Sequence, residues 1–167
     1  MSPSKIFAAT AVVVFVFGIA TIECAVAGER IKAHGASFTV KWEQIEVGDE
    51  EGHVIGISES IQIYFNETTG EKSTSTSIGL MDINIKTGQG SGHGYGYGVS
   101  LLKDGAKRIR TWEGKSVGNG HWKGTWSYIK GTGKYEGIKG GGTWDSYYLA
   151  PQQSYLEVEG EMEMPTQ

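Results

Sequence analysis

Glu59 is the ionisable side chain whose position could support proton-transfer chemistry. It lies in residues 53–65, where apolar and polar residues alternate, and it falls on the same face as Ile61. On a half-buried strand the apolar face is expected to point inward. A carboxylate inside a barrel is a candidate general acid or base. The structural alternatives are a β-bulge that turns it outward, or an ion pair with Arg108 or Arg110.

Aromatic side chains at alternating positions form the second group that could build a site. Strict alternation in Gly92–Gly98 places three large rings on one face and leaves glycines on the other. Aromatic walls suit a flat or sugar-like ligand. Ordinary core packing, with neighbouring rings covering the bare glycine face, is the alternative. The predicted ligand-binding residues are His93, Tyr95, Tyr97, Trp122, Trp126 and Trp144.

The same sequence predicts no metal site and no cofactor. Its four histidines are too scattered to suggest metal ligation from spacing. Gly114-Lys115-Ser116 imitates the end of a phosphate-binding loop, but Ile109 stands where the first glycine is required. The net charge is -4, with lysines and glutamates interspersed. We therefore expect no nucleic-acid surface and no lipid-binding basic patch.

Residues 1–27 are typical of a secretory signal peptide. An apolar run over 6–22 is followed by Ala25-Val26-Ala27, which matches the small-x-small cleavage rule. A retained N-terminal anchor is the alternative. Cleavage after Ala27 would remove Cys24, the only cysteine, and leave 28–167 as one domain. We expect that domain to be secreted or periplasmic, without a membrane anchor.

The remaining chain shows period-two alternation punctuated by Gly, Asn and Asp, which predicts about eight strands. They are expected near 38–43, 53–65, 78–86, 93–103, 107–117, 121–130, 138–149 and 155–164. An all-β, closed antiparallel up-and-down barrel would leave no free strand edge. A two-sheet sandwich is the rival fold. Residues 28–167 contain 25 of the 26 glycines, and these favour the barrel, because sharply bent strands use glycine.

A family resemblance lies in the stretch GTGKYEGIKGGGTW, Gly131–Trp144. It is similar to the glycine-rich hairpin of the allene oxide cyclase-like and dirigent-like barrels and of related small secreted bacterial proteins. The resemblance implies a closed eight-stranded antiparallel barrel. The cyclases rearrange an epoxide, and dirigent proteins guide the coupling of phenoxy radicals. No motif here places their catalytic residues, because a curved hairpin is a scaffold feature.

These observations favour an exported barrel that binds a small apolar or aromatic ligand in its lumen. Two other functions stay open. One is a cyclase-like isomerase or dirigent-like coupling guide that uses Glu59 with a lumenal tyrosine, so whether the chain is an enzyme is left undecided. The other is a surface barrel that meets a protein or glycan through exposed aromatic residues, with a homo-oligomer as one form of such an assembly.

Overall fold

The computed structural model describes residues 28–86 and 92–164, and within them eight antiparallel strands close into one barrel. The strands are β1 (Glu29–Glu46), β2 (His53–Asn66), β3 (Lys72–Asn84), β4 (Gly92–Leu101), β5 (Lys107–Gly118), β6 (His121–Gly131), β7 (Lys139–Ala150) and β8 (Gln153–Glu163). Each strand pairs with the next, and β8 pairs with β1. The predicted up-and-down barrel is confirmed. The predicted signal peptide, 1–27, lies outside the described residues.

Strand β3 shows where the sequence pattern is weakest. It begins at Lys72, whereas alternation predicted a start at Ile78. The added segment, KSTSTS, alternates serine with threonine and contains no apolar residue, so it carries no hydrophobic period. It is nevertheless paired with β2 and β4 along its length. Its serines point inward, where Ser75 and Ser77 are buried.

The inner surface of the barrel has two different walls. Strands β1–β4 supply a mostly polar wall, with Trp42 and Met81 among the exceptions, and β5–β8 supply a wall of mostly aromatic and aliphatic side chains. The polar wall comprises Ser37, Thr39, Ser58, Ser60, Gln62, Tyr64, Ser73, Ser77 and Ser100. The aromatic wall comprises Trp112, Trp122, Trp126, Tyr128, Trp144, Leu156 and Val158. A ligand in the lumen would therefore meet hydroxyl groups on one side and rings on the other.

The outer surface of β2–β4, with Phe38 of β1 beside it, is apolar, and we call it the outer apolar wall. It comprises Phe38, Ile55, Ile57, Ile61, Ile63, Phe65, Ile78, Leu80, Tyr95, Tyr97, Val99 and Leu101, each 36–58% exposed. The expectation that the isoleucines of residues 53–65 face the lumen is therefore wrong. Alternation separates two faces correctly, but the serine and glycine face is the one that points inward, opposite the tryptophans.

A cluster of buried side chains closes one end of the barrel. Leu102 and Ala106 come from the β4–β5 connection, and Tyr135 and Ile138 from the β6–β7 connection. The latter contains the 3-10 turn Gly133–Tyr135. The opposite end carries Trp42 of β1 and Trp122 of β6, both only half-buried. We call this opposite end the mouth of the lumen. No helix in the part of the chain that the structure describes is long and apolar enough to cross a membrane.

Candidate functional site

The lumen holds a cavity of about 300 Å³. All five tryptophans of the sequence line it. A volume of this size lies at the lower end of the range for small-molecule sites, which are concave and rich in apolar and aromatic side chains. An eight-stranded barrel is just wide enough to be filled by side chains or to hold one small ligand. Here part of the interior stays open.

The tryptophans fit because glycines face them across the sheet. The Trp112 ring lies against Gly79, and the Trp126 ring lies against Gly160. A Cβ atom at either glycine would overlap the facing ring. Trp112 meets Trp144 edge to face, with ring centroids 6.1 Å apart. Such pairs are favoured by the aromatic quadrupole. The glycines therefore have a packing role, and they hold the aromatic wall in place.

The indole N–H groups of two tryptophans differ. Trp126 Nε1 donates to the backbone oxygens of Thr143 and Glu159, at 3.2 and 3.3 Å. Trp112 Nε1 is buried and has no hydrogen-bond partner in the protein. A buried donor without a partner costs about 1–3 kcal/mol of stability. Because Trp112 lines the lumen, its indole N–H is available to an acceptor on a ligand.

Arg110 carries a positive charge into the lumen. Its guanidinium donates to Ser100 Oγ at 3.0 Å, to Gln62 Oε1 at 2.8 Å and to the Tyr64 hydroxyl at 3.3 Å. All three acceptors are neutral, and Arg110 makes no ion pair with any residue of 28–86 or 92–164. Gly98 makes room for it, because a Cβ atom there would lie 2.8 Å from the Arg110 Cζ atom.

Arg108 lies deeper, near the closed end, and is 8% exposed. Its NH2 lies 3.5 Å from Glu71 Oε2, so the two side chains form a long ion pair. Its Cζ lies 5.1 Å from the centroid of the Tyr135 ring. The Arg108 Nε atom is buried with no partner in the protein. The charged residues that line the lumen are thus two arginines and one glutamate.

Two lumenal tyrosines sit beside these arginines as neutral hydroxyl groups. Burial raises the pKa of Tyr64 above its ordinary value, and the charge of Arg110 opposes that rise. Burial likewise raises the pKa of Tyr128, with Arg108 and Arg110 opposing it. Both side chains therefore keep their protons at neutral pH. The Tyr64 hydroxyl donates to Gln62 Oε1 at 3.0 Å.

Three of the six predicted ligand-binding residues, Trp122, Trp126 and Trp144, line the lumen. The other three, His93, Tyr95 and Tyr97, lie on the outside of β4. Their placement in the lumen is wrong, because the glycines of β4, and not the rings, face inward. The bare glycine face is covered, but not by the neighbouring aromatic rings that the packing alternative predicted: Gly94 meets Met81, and Gly98 meets Arg110.

Glu59 also lies outside. It falls on the same face of β2 as Ile57 and Ile61, which are exposed, whereas Ser58 and Ser60 line the lumen. The proton-transfer role for a lumenal Glu59 is therefore wrong in its geometry. No bulge is needed to explain the outward position, because the whole apolar face of β2 points out. Neither arginine pairs with Glu59, since both point into the lumen.

Sequence reasoning missed Trp42 and Trp112 as lumen residues, and it named Arg108 and Arg110 only as possible ion-pair partners of Glu59. Strict alternation would place Trp42 on the same face as the exposed Phe38, because the two are an even number of residues apart. The register of β1 against β2 shifts, however, between Thr39 and Lys41. That bulge turns Trp42 inward. Arg110 and Trp112 are two positions apart on β5, so alternation places both side chains on one face. The sequence therefore did contain one indication of where Arg110 points.

The outer surface holds two further polar or open features. Tyr95 and Tyr97 flank an outer recess of about 330 Å³, formed with residues of β5 and β6. His53 lies between Asp82 and Asp49, at 2.8 and 2.6 Å, and these hydrogen bonds raise the pKa of His53 above its ordinary value. Among the described residues, no group of three or more His, Cys, Asp or Glu side chains could hold a metal ion.

Comparison with known proteins adds no family to this geometry. No family model matches the chain, and no curated protein matches it. The likeness of Gly131–Trp144 to the cyclase-like and dirigent-like hairpins therefore stands on those residues and on the strand count. Function must be argued from the lumen itself.

Proposed function

We propose that the protein binds a small aromatic ligand in the lumen of its barrel. The observation that carries the proposal is the open volume of about 300 Å³, which is lined by five tryptophans and by a wall of hydroxyl groups. A barrel that only needed a core would fill this space with side chains. One flat face of the ligand would pack on the aromatic wall, and its polar edge would meet the serines of β2 and β3.

We also propose that this binding takes place outside the cytoplasm, on the strength of the N-terminal sequence pattern. An isomerase or coupling-guide activity is supported by the family resemblance alone. It loses its proposed proton-transfer residue, because Glu59 lies on the outer apolar wall. The lumenal groups that could act on a ligand are instead the arginines and the neutral hydroxyls of Tyr64 and Tyr128.

The neutral probe N-phenyl-1-naphthylamine tests the proposal. Its fluorescence should rise saturably on binding, with one site per barrel. Trp122→Ala should weaken binding about tenfold, because a stacked aromatic wall contributes about 0.5–1.5 kcal/mol beyond its buried area. Trp122 is the suitable position, because none of the described glycines lies against its ring. The substitution therefore opens the lumen without unpacking a neighbouring strand.

Tyr97→Ala is the matched control, since it removes an aromatic ring from the outer surface of the same barrel. It should leave the affinity for the probe unchanged within about twofold. The reverse result, weaker binding in Tyr97→Ala and none in Trp122→Ala, would place the ligand in the outer recess beside Tyr95 and Tyr97. That outcome would overturn the lumenal site.

A further inference from the structure

Charge at the base of the lumen narrows the ligand class, in an inference that rests on the proposed function. The lining contains two guanidinium groups, Arg108 and Arg110, and one carboxylate, Glu71. Glu71 is 3.5 Å from Arg108, and Arg110 has neutral partners only. The lumen therefore carries one positive charge in excess. Arg110 is half-buried. A charge that is partly removed from water without a counter-charge is unfavourable, and a bound anion would relieve it.

The donors around Arg110 also suit an anion. Arg108 Nε and Trp112 Nε1 are buried and have no partner in the protein. Arg108, Arg110 and Trp112 occupy alternate positions of one strand, β5, so all three side chains point into the lumen. Together they present a guanidinium edge and an indole N–H below the rings of the aromatic wall. Guanidinium groups match the planar geometry of a carboxylate, which they can bind through two hydrogen bonds.

We propose that the lumen is a site for a small aromatic monocarboxylate, with its carboxylate at Arg110 and its ring against the aromatic wall. A single negative charge matches the single excess positive charge. The ligand enters through the mouth between Trp42 and Trp122, carboxylate first, because the arginines lie toward the closed end. The Gln62 and Ser100 contacts that now hold Arg110 keep its guanidinium positioned for the anion.

The test compares two probes of equal shape, 2-naphthoate and the neutral 2-naphthamide, by quenching of tryptophan fluorescence. The protein should bind the naphthoate about 10- to 100-fold more tightly, as expected for charge-assisted hydrogen bonds. Arg110→Gln should remove that preference while leaving the naphthamide affinity within about threefold. Arg110→Lys should keep part of the preference, because lysine keeps the positive charge but cannot form the two parallel hydrogen bonds of a guanidinium group.

Lys115→Gln is the matched control, since it removes a positive charge from the outer face of the same strand. It should change neither affinity. Equal affinity of the unaltered protein for the two probes would overturn the anion site, and this comparison does not depend on any variant folding. If neither naphthoate, naphthamide nor N-phenyl-1-naphthylamine binds, the lumenal function itself fails. Binding of both naphthalene probes with no preference contradicts the carboxylate inference alone.

The outer apolar wall carries a second, independent inference. Twelve side chains that are each 36–58% exposed present on the order of 1,000 Å² of apolar surface. The largest apolar patch of a typical monomer is about 300–600 Å², whereas a standard interface buries about 800 Å² per partner. The wall is therefore of the size that a stable dimer needs.

The shape and charge of the wall indicate a second copy of this chain. It is the convex outside of a sheet, so it cannot enclose a peptide or a small molecule, but another sheet can pack on it face to face. It carries few charges: Glu59 lies near the centre, opposite Lys41 in the β1–β2 register, and Asp82 lies at the rim beside Ile55, so apolar side chains form most of the surface. The outer face of β8 is acidic, with Glu157, Glu159 and Glu161.

We infer that two copies associate through the outer apolar wall about a two-fold axis. A single patch that meets itself gives a closed, isologous dimer and not a fibre. The recess beside Tyr95 and Tyr97 lies at the edge of the wall and can receive protruding side chains of the other copy. The lumens of the two copies stay separate, so dimerisation does not require the ligand.

Sedimentation equilibrium of the purified protein tests the inference. The mass should be twice that of one chain at micromolar concentration. Ile61→Lys, in the middle of the wall, should raise the dissociation constant at least 100-fold, and Leu80→Lys on the neighbouring strand should do the same. Thr143→Lys adds the same charge on the opposite side of the barrel and should leave the dimer intact.

A protein that stays monomeric at 100 µM would overturn the dimer. So would equal dissociation constants for Ile61→Lys and Thr143→Lys. Binding of N-phenyl-1-naphthylamine in the lumen shows that each variant is folded. Because the unaltered protein alone gives a decisive mass, a variant that fails to fold does not weaken the test.

Discussion

Gly140→Ala is expected to lower the free energy of unfolding by about 2–5 kcal/mol. Gly140 has φ +124°, a conformation that L side chains rarely adopt. A Cβ atom there would also overlap the carbonyl oxygen of Glu161 on β8. Because β7 and β8 are paired at this point, neither backbone can move away without breaking the barrel ladder. Urea denaturation followed by circular dichroism measures the change.

Gly133→Ala is the control that separates the backbone strain of a positive φ from the steric overlap of an added Cβ atom. Gly133 also has a positive φ, +60°, but a Cβ atom there would meet only the Ala106 Cβ, at 3.6 Å. It should therefore cost about 1–2 kcal/mol, the usual penalty for a left-handed residue. Equal costs at the two glycines would show that the close approach of β7 to β8 has no energetic weight.

Trp126→Ala is the second substitution with a large expected effect, a loss of about 3–5 kcal/mol of stability. Trp126 is 5% exposed and belongs to the cluster that closes the barrel. Its ring packs edge to face on Tyr128, with centroids 5.0 Å apart. Its removal would also leave two backbone oxygens without their indole donor and expose the hollow at Gly160. Thermal unfolding followed in the near ultraviolet would report the loss.

Trp126→Phe gives the control for that result. It keeps much of the packing and loses the indole N–H, so it should cost less than half as much as alanine. If Trp126→Ala unfolds at the same temperature as the unaltered protein, the aromatic wall is not part of the stabilising core. The lumen would then be a loosely packed interior and not a preformed site.

The fold was predictable because closure of the barrel depends on period and spacing alone. Strand β8 illustrates this: the alternation of glutamates with Leu156, Val158 and Met162 predicted its two faces, and the structure places Leu156 and Met162 in the interior. Strand β3 was only half predicted, because a serine and threonine segment has no hydrophobic period. Its position is determined by pairing with β2 and β4, which is a tertiary effect.

The site was predictable only in part, because alternation separates two faces without saying which one points inward. The usual assumption, apolar inside, holds for β8 and fails for β2. In β2 the inward face is Ser58, Ser60 and Gln62, since large rings from the opposite wall already occupy the interior. Glu59 was assigned to the lumen for the same reason. Which face of β2 points inward depends on the volumes of the side chains on the facing strands. The residue pattern of one strand does not contain that information.

The most direct test of the lumenal site is a two-dimensional ¹H–¹⁵N correlation spectrum of the ¹⁵N-labelled protein, recorded as 2-naphthoate is added. All five tryptophans line the lumen, so the signals of their indole N–H groups report on it without any substitution. We expect saturable shifts of the indole signals, largest for Trp112, whose Nε1 has no partner in the protein and can donate to the carboxylate. The backbone amides of Tyr95 and Tyr97 should shift little. Shifts confined to those two residues, with unchanged indole signals, would contradict the account.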